Sequence, residues 1–124
     1  MSNYLYEDDT FIIIGLLIQF HKHLGKGFSE IVYKDALEFE FIKNNIQFER
    51  EKEYQVHYKD VILKHKFYAD FVVFDKIILE IKSVDSIHDA HICQCTNYLH
   101  VSGNRLALLV NFNSKSLEYK RIIK

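Results

Sequence analysis

Three side chains near the middle of the chain carry groups that could do chemistry together: the carboxylates of Asp70 and Glu80 and the ammonium of Lys82. They sit on two short apolar runs, 67-FYADFVVF-74 and 77-IILEIKS-83. Side chains alternate faces along a strand, so Glu80 and Lys82 point the same way. If residues 74–76 form a tight turn and the register is centred on Asp75, Asp70 falls opposite Glu80. Two carboxylates and an ammonium would then share one sheet face among Phe, Val, Ile and Leu. Buried charge is costly unless it is paired or bound to a metal. Carboxylate oxygens are the ligands that Mg²⁺ and Mn²⁺ prefer. The cluster therefore points to a hard-cation site for phosphodiester chemistry. A plainer reading stays open on the residues alone. Ile77, Leu79 and Ile81 make an apolar face, Glu80 and Lys82 an ordinary polar one, and Asp70 pairs with a lysine.

Two other pairs have helical spacing. Glu30 and Tyr33 are one turn apart, as are Gln94 and Tyr98. Without further information, Tyr33 reads as a core residue, Glu30 as a first-turn acid favoured by the helix dipole, and Gln94 and Tyr98 as a polar rim. His88 and His91 also lie on one turn, but no third ligand accompanies them. They are expected at the surface, His21 and His23 at a helix end, and Asn111 and Asn113 in a turn.

Asp70…Glu80-Ile81-Lys82 resembles the D…(D/E)xK signature of the PD-(D/E)XK nuclease superfamily. Gly27-Phe28-Ser29-Glu30-Ile31-Val32-Tyr33 is similar to the signature of the GxxExxY proteins, a small family placed in that superfamily. Gln94-Cys95-Thr96-Asn97-Tyr98 supplies a QxxxY segment in the matching order, and the similarity runs on to 108-LLVNF-112. Ala69 stands where the superfamily's name has proline. The resemblance implies one nuclease-like domain over residues 1–124, with a central mixed sheet of about five strands flanked by helices. It implies that Asp70, Glu80 and Glu30 hold Mg²⁺ or Mn²⁺, that Lys82 stabilises charge developing at phosphorus, and that Gln94 orients water or the lysine. Tyr33 and Tyr98 become substrate contacts, and Gly27 the residue that lets its helix start close to the sheet. The expected activity is hydrolysis of nucleic acid, DNA ahead of RNA. The rival is a non-catalytic nucleic-acid-binding or protein-interaction module on the same fold. No separate module for reading a target is visible, so target choice falls to a homodimer, to a partner, or is absent.

Composition bounds these readings. A length of 124 residues suits one domain, and 48% hydrophobic and 15% aromatic residues suffice for a core. The net charge of −1 does not by itself announce a nucleic-acid binder. The acidic start 1-MSNYLYEDDT-10 is unlike a secretory leader, and 11-FIIIGLLIQF-20 is too short to span a bilayer. Cys93 and Cys95 fall on different faces of a predicted helix and do not suit a disulfide or a structural metal site. The expectation is a cytoplasmic protein without a membrane anchor.

Periodicity predicts helices over about 8–23 and 29–44, separated by Gly25-Lys26-Gly27. Three strands follow at about 47–58, 61–73 and 77–83. A third helix spans about 86–101, capped by Ser86 with Asp89 and stopped by Gly103-Asn104. Strands at about 105–112 and 117–123 complete an α/β sandwich with a mixed sheet and a parallel crossover through the third helix.

Overall fold

The computed structural model describes residues 5–124; the first four residues of the acidic start lie outside the described residues. Two helices come first, α1 (Glu7–Leu24) and α2 (Glu30–Lys43). A meander of β1 (Phe48–Tyr58), β2 (Val61–Val73) and β3 (Ile77–Lys82) follows, then α3 (Asp89–Ser102), β4 (Leu106–Asn111) and β5 (Glu118–Ile123). The strands lie in the sheet in chain order, antiparallel throughout except for the parallel pair β3 and β4, which α3 connects. This is an α/β fold with a five-stranded mixed sheet flanked by helices, as expected. No helix among the described residues is long and apolar enough to cross a membrane.

Helices cover both faces of the sheet. Ile13, Leu17, Phe20, Tyr33, Leu37 and Phe41 from α1 and α2 pack on the odd-numbered residues of β3 and on Leu106, Leu108 and Val110 of β4. Cys95, Tyr98 and Leu99 from α3 pack on Ile78, Ala107 and Leu109 on the other face. Central strands β3 and β4 are therefore buried on both sides, which explains their nearly continuous apolar sequence. That arrangement sets aside the plainer reading, in which Glu80 stands on an ordinary polar face. His21 lies in the last turn of α1, where it is buried, and its Nε2–H donates to the Phe112 carbonyl at 2.9 Å, pinning α1 to the end of β4.

The β2–β3 turn has Phe74 and Asp75 both at positive φ, 56° and 61°. That matches the tight hairpin turn whose twist suits the flanking strands, here without the usual Asn-Gly. Gln47 steadies it by donating to Asp75 Oδ2 at 2.8 Å. The resulting pairs, Val73↔Ile77 to Phe71↔Leu79, are centred on Asp75 as expected. Helix α3 begins two residues later than a cap at Ser86 would place it. His88 is the N-cap, and its backbone N–H donates to His91 Nδ1 at 3.0 Å. The two imidazoles thus serve as a cap.

A kink crosses β1 and β2. Phe48, Phe71 and Val73 face α1 and α2, whereas Tyr54, Phe67 and Ala69 face α3. Strict alternation would put Phe71 and Ala69 on the same face. The register is unchanged on either side, with Arg50↔Phe71 and Lys52↔Ala69, so Glu51 lies opposite Asp70 at the point of reversal. Glu51 has φ 53°, in the left-handed region that non-glycine residues rarely occupy.

Candidate active site

The kink separates β2 from β3 just where Asp70 and Glu80 stand. Ladder pairing stops at Phe71↔Leu79, and side chains take over the backbone groups beyond it. The Ile81 N–H donates to Asp70 Oδ2 at 2.8 Å, and the Asp70 N–H donates to Glu80 Oε1 at 3.3 Å. The two carboxyl groups come within hydrogen-bonding reach of each other. Glu80 is only 2% exposed. Burial, and then the neighbouring Asp70 charge, push its pKa well up, with Lys82 acting in the opposite direction. Two carboxylates held this way need a proton or a cation between them. Their hard oxygen donors, one of them almost dry, fit a divalent ion of the Mg²⁺ class.

Lys82 lies at the end of β3, where its ammonium donates to Gln94 Oε1 at 3.0 Å. Gln94 in turn donates through Nε2 to the Tyr98 hydroxyl at 3.4 Å. Helix α3 thus holds the signature lysine through residues at i and i+4. Tyr98 is buried edge-on against Phe67, its ring centroid 5.5 Å away. Burial raises its hydroxyl pKa further than its ordinary value, with the Glu80 and Asp70 charges adding to the effect. Cys95, beneath the same cluster, is pushed up to about 12, first by burial and then by Glu80. It is a protonated core thiol.

Helix α2 approaches from the other face. Glu30 accepts a hydrogen bond from the Ser83 N–H through Oε2 at 3.2 Å, and Ser83 Oγ donates to the Phe28 carbonyl at 2.6 Å. These contacts staple the start of α2 to the residue after Lys82. Among the described residues, no three His, Cys, Asp or Glu side chains converge closely enough to hold a metal together. Of the three expected carboxylates, Asp70 and Glu80 meet, and Glu30 stands apart with one oxygen on the Ser83 N–H.

Tyr33 also differs from its expected role. It is 0% exposed and stacks on Phe112 with ring centroids 4.7 Å apart. Its hydroxyl donates to the Gly25 carbonyl at 2.7 Å and accepts from the Phe28 N–H at 3.4 Å. It braces the 25–28 loop from within the core and has no surface left for substrate. Gly27 is needed for its φ of 104°, not for a close approach, since nothing lies within 4 Å of where a Cβ would stand.

Three residues of the site were not foreseen. Lys34, one turn beyond Glu30 on α2, places its ammonium 3.0 Å from Asp70 Oδ1 and also binds Glu51 Oε1. Burial pulls its pKa down, but hydrogen bonds to Glu51 and Asp70 more than compensate, and the net shift is upward. The i, i+4 spacing from Glu30 was the available signal for Lys34; the sequence carried none for Glu51. Asn111, beside Lys82 in the sheet, is 0% exposed and fully bonded. Its Nδ2 donates to the Val84 carbonyl and to Glu118 Oε1, both at 2.9 Å. Its Oδ1 accepts from the Val84 N–H at 3.0 Å and from the Asn113 N–H at 3.1 Å. It fixes the segment that leaves β3 after Lys82.

Residues 7–122 match the family model of the PD-(D/E)XK nuclease superfamily. Among solved structures, the crystal structure of SSO0001 is similar with a TM-score of 0.62 and 22% identity, over 75% of this chain and 48% of that one. The alkaline exonuclease LHK-Exo from Laribacter hongkongensis is similar with a TM-score of 0.56 and 11% identity, over 100% of this chain and 72% of that one. The chain therefore spans about half the length of SSO0001. At these identities the two structures speak for the fold alone. A search of curated proteins found no match.

Proposed function

The chain belongs to the PD-(D/E)XK nuclease superfamily, and from that premise we propose that it is a divalent-metal-dependent nuclease acting on DNA in preference to RNA. Within the superfamily, the spacing of Gly27, Glu30 and Tyr33 supports a reading as a GxxExxY protein. The observation that carries the reading is the meeting of Asp70 and Glu80 at the parted end of β2 and β3, with Lys82 two residues further on. Nothing in the packing of the sheet requires two acids there, and burying Glu80 works against stability.

Hydrolysis adds the oxygen of water to phosphorus, breaks the bond to one sugar oxygen, and leaves a phosphomonoester and a hydroxyl. Asp70 and Glu80 would hold Mg²⁺ or Mn²⁺. When bound there, such an ion would supply positive charge and acidify water. Lys82 contributes what the protein itself can: an ammonium fixed by Gln94, ready to offset negative charge that grows at phosphorus. Its anchorage matters because a preoriented charge needs no rearrangement during reaction. Asn111 and Glu30 keep the backbone around residues 83–84 in place, so the carboxylates and the ammonium hold their relative positions.

The test is a cleavage screen of duplex, single-stranded and branched DNA and of RNA, with Mg²⁺ and with Mn²⁺, comparing the wild type with Asp70→Asn. Cutting by the wild type that Asp70→Asn abolishes supports the assignment. Absence of cutting under every condition, with salt-dependent binding retained, would replace it with the binding-module reading.

A further inference from the structure

The positive charge that meets Asp70 does not come from the signature lysine. Lys82 is turned to Gln94, and Lys34 reaches Asp70 Oδ1 from the opposite layer. The Lys34 side chain is only 13% exposed, and its ammonium spans two carboxylates, Asp70 and Glu51. Asp70 is a core member of the site, whereas Glu51 has a side chain 47% exposed and sits on a backbone turned into the left-handed region. The kink that carries Glu51 sets it opposite Asp70 and within reach of the same lysine. A brace for α2 would need one acid. The structure supplies two, and only one of them belongs to the proposed ion site.

We infer that Lys34 is the resident counter-cation of Asp70 while no metal is bound, and that Glu51 is the seat to which its ammonium withdraws when a divalent ion takes Asp70. Lys34 is then a positioning residue that sets metal affinity, acting through Asp70. The inference rests on the reading of Asp70 and Glu80 as the metal-holding pair.

The two variants move in opposite directions. Lys34→Met keeps the aliphatic stem and removes the competing charge, so Mn²⁺ should bind about tenfold more tightly at low salt. Glu51→Gln removes the alternative seat and leaves the ammonium on Asp70, so Mn²⁺ should bind about threefold more weakly. A merely structural role for the bridge would weaken binding in both variants, through loosening of α2 against the kink. Calorimetric titration of the full chain with Mn²⁺ reads this directly and requires no catalysis, and Asp70→Asn serves as the reference. Glu51 is exposed, so Glu51→Gln keeps the test alive if Lys34→Met folds poorly, and Lys34→Gln is the second choice at that position.

Tighter binding in Lys34→Met together with weaker binding in Glu51→Gln supports the inference. Equal or weaker binding in the lysine variant, or unchanged binding in Glu51→Gln, overturns it while leaving the metal site standing, provided Asp70→Asn loses the ion. If Asp70→Asn binds Mn²⁺ as the wild type does, the ion lies elsewhere and the parent reading fails, taking this one with it.

Discussion

Glu80→Gln isolates what the site costs the fold. Glutamine keeps the shape of glutamate and can accept the Asp70 N–H through its amide oxygen, as Glu80 Oε1 does at 3.3 Å. Its amide N–H₂ can also donate to the Asp70 carboxylate, which glutamate can do only when protonated. The folded state raises the Glu80 pKa, first by burial and then by the Asp70 charge. The native protein therefore holds more protons than the unfolded chain once pH passes the ordinary glutamate range near about 4.3. Stability falls as pH rises from there and levels off when native Glu80 has ionised. Replacing a whole buried ion pair or triad by neutral residues often stabilises by about 1–4 kcal/mol, and Glu80→Gln removes one buried charge that lies beside a like charge. Lys82 close to Glu80 and Lys34 on Asp70 offset part of the repulsion, which argues for the lower end, about 1–2 kcal/mol. For a chain of this size that is about 4–8 °C in Tm. Metal-free Glu80→Gln should thus melt about 4–8 °C above the wild type at pH 8, and the gap should close toward pH 5. Added Mn²⁺ should raise the wild-type Tm and barely move the variant. The assay is thermal unfolding by circular dichroism at both pH values, with EDTA and with Mn²⁺. A variant less stable than the wild type at pH 8, or a gap that does not change with pH, would refute the placement of charge on which the site assignment depends.

Two further substitutions test the surroundings. Lys82→Ala should keep its Mn²⁺ affinity by titration, because the ammonium bonds Gln94 rather than the carboxylates, yet single-turnover cleavage should fall by at least about a hundredfold; equal cutting would remove Lys82 from the mechanism. Asn111→Ala leaves the half-buried Val84 N–H and carbonyl without their side-chain partner and should lower stability by about 1–3 kcal/mol, with faster amide exchange at residues 83–85; an unchanged Tm would show that water replaces the amide.

The sheet and its register were legible because local signals agreed with the global fold. Apolar runs of strand length on either side of Asp75, and two glycines between two helical periods, left few alternatives. The start of α3 was not legible, since the cap is a histidine pair and Ser86 offered a more ordinary one. The role of Asn111 is not legible either, because a buried asparagine and a turn asparagine look alike until the partners are known. The hydrogen bond from the Ser83 N–H to Glu30 is not legible in the sequence, because it depends on where Ser83 falls in space.

The deeper omission is the kink. A period of two assigns each strand residue a face only if the period is never interrupted, and here β1 and β2 both reverse faces at the Glu51–Asp70 pair without changing register. Under unbroken alternation, Asp70 would hydrogen-bond as an ordinary member of the ladder and Glu51 would be one more acid on a polar strand. The interruption frees the Asp70 N–H for Glu80, turns the Asp70 carboxylate to the Ile81 N–H, and sets Glu51 within reach of Lys34. Sequence rules describe where a chain satisfies itself locally, and sites tend to be built where it does not. The left-handed backbone at Glu51 is such a departure. What it yields in return is a point between two strands where Asp70 and Glu80 meet, with the Lys34 ammonium beside Asp70.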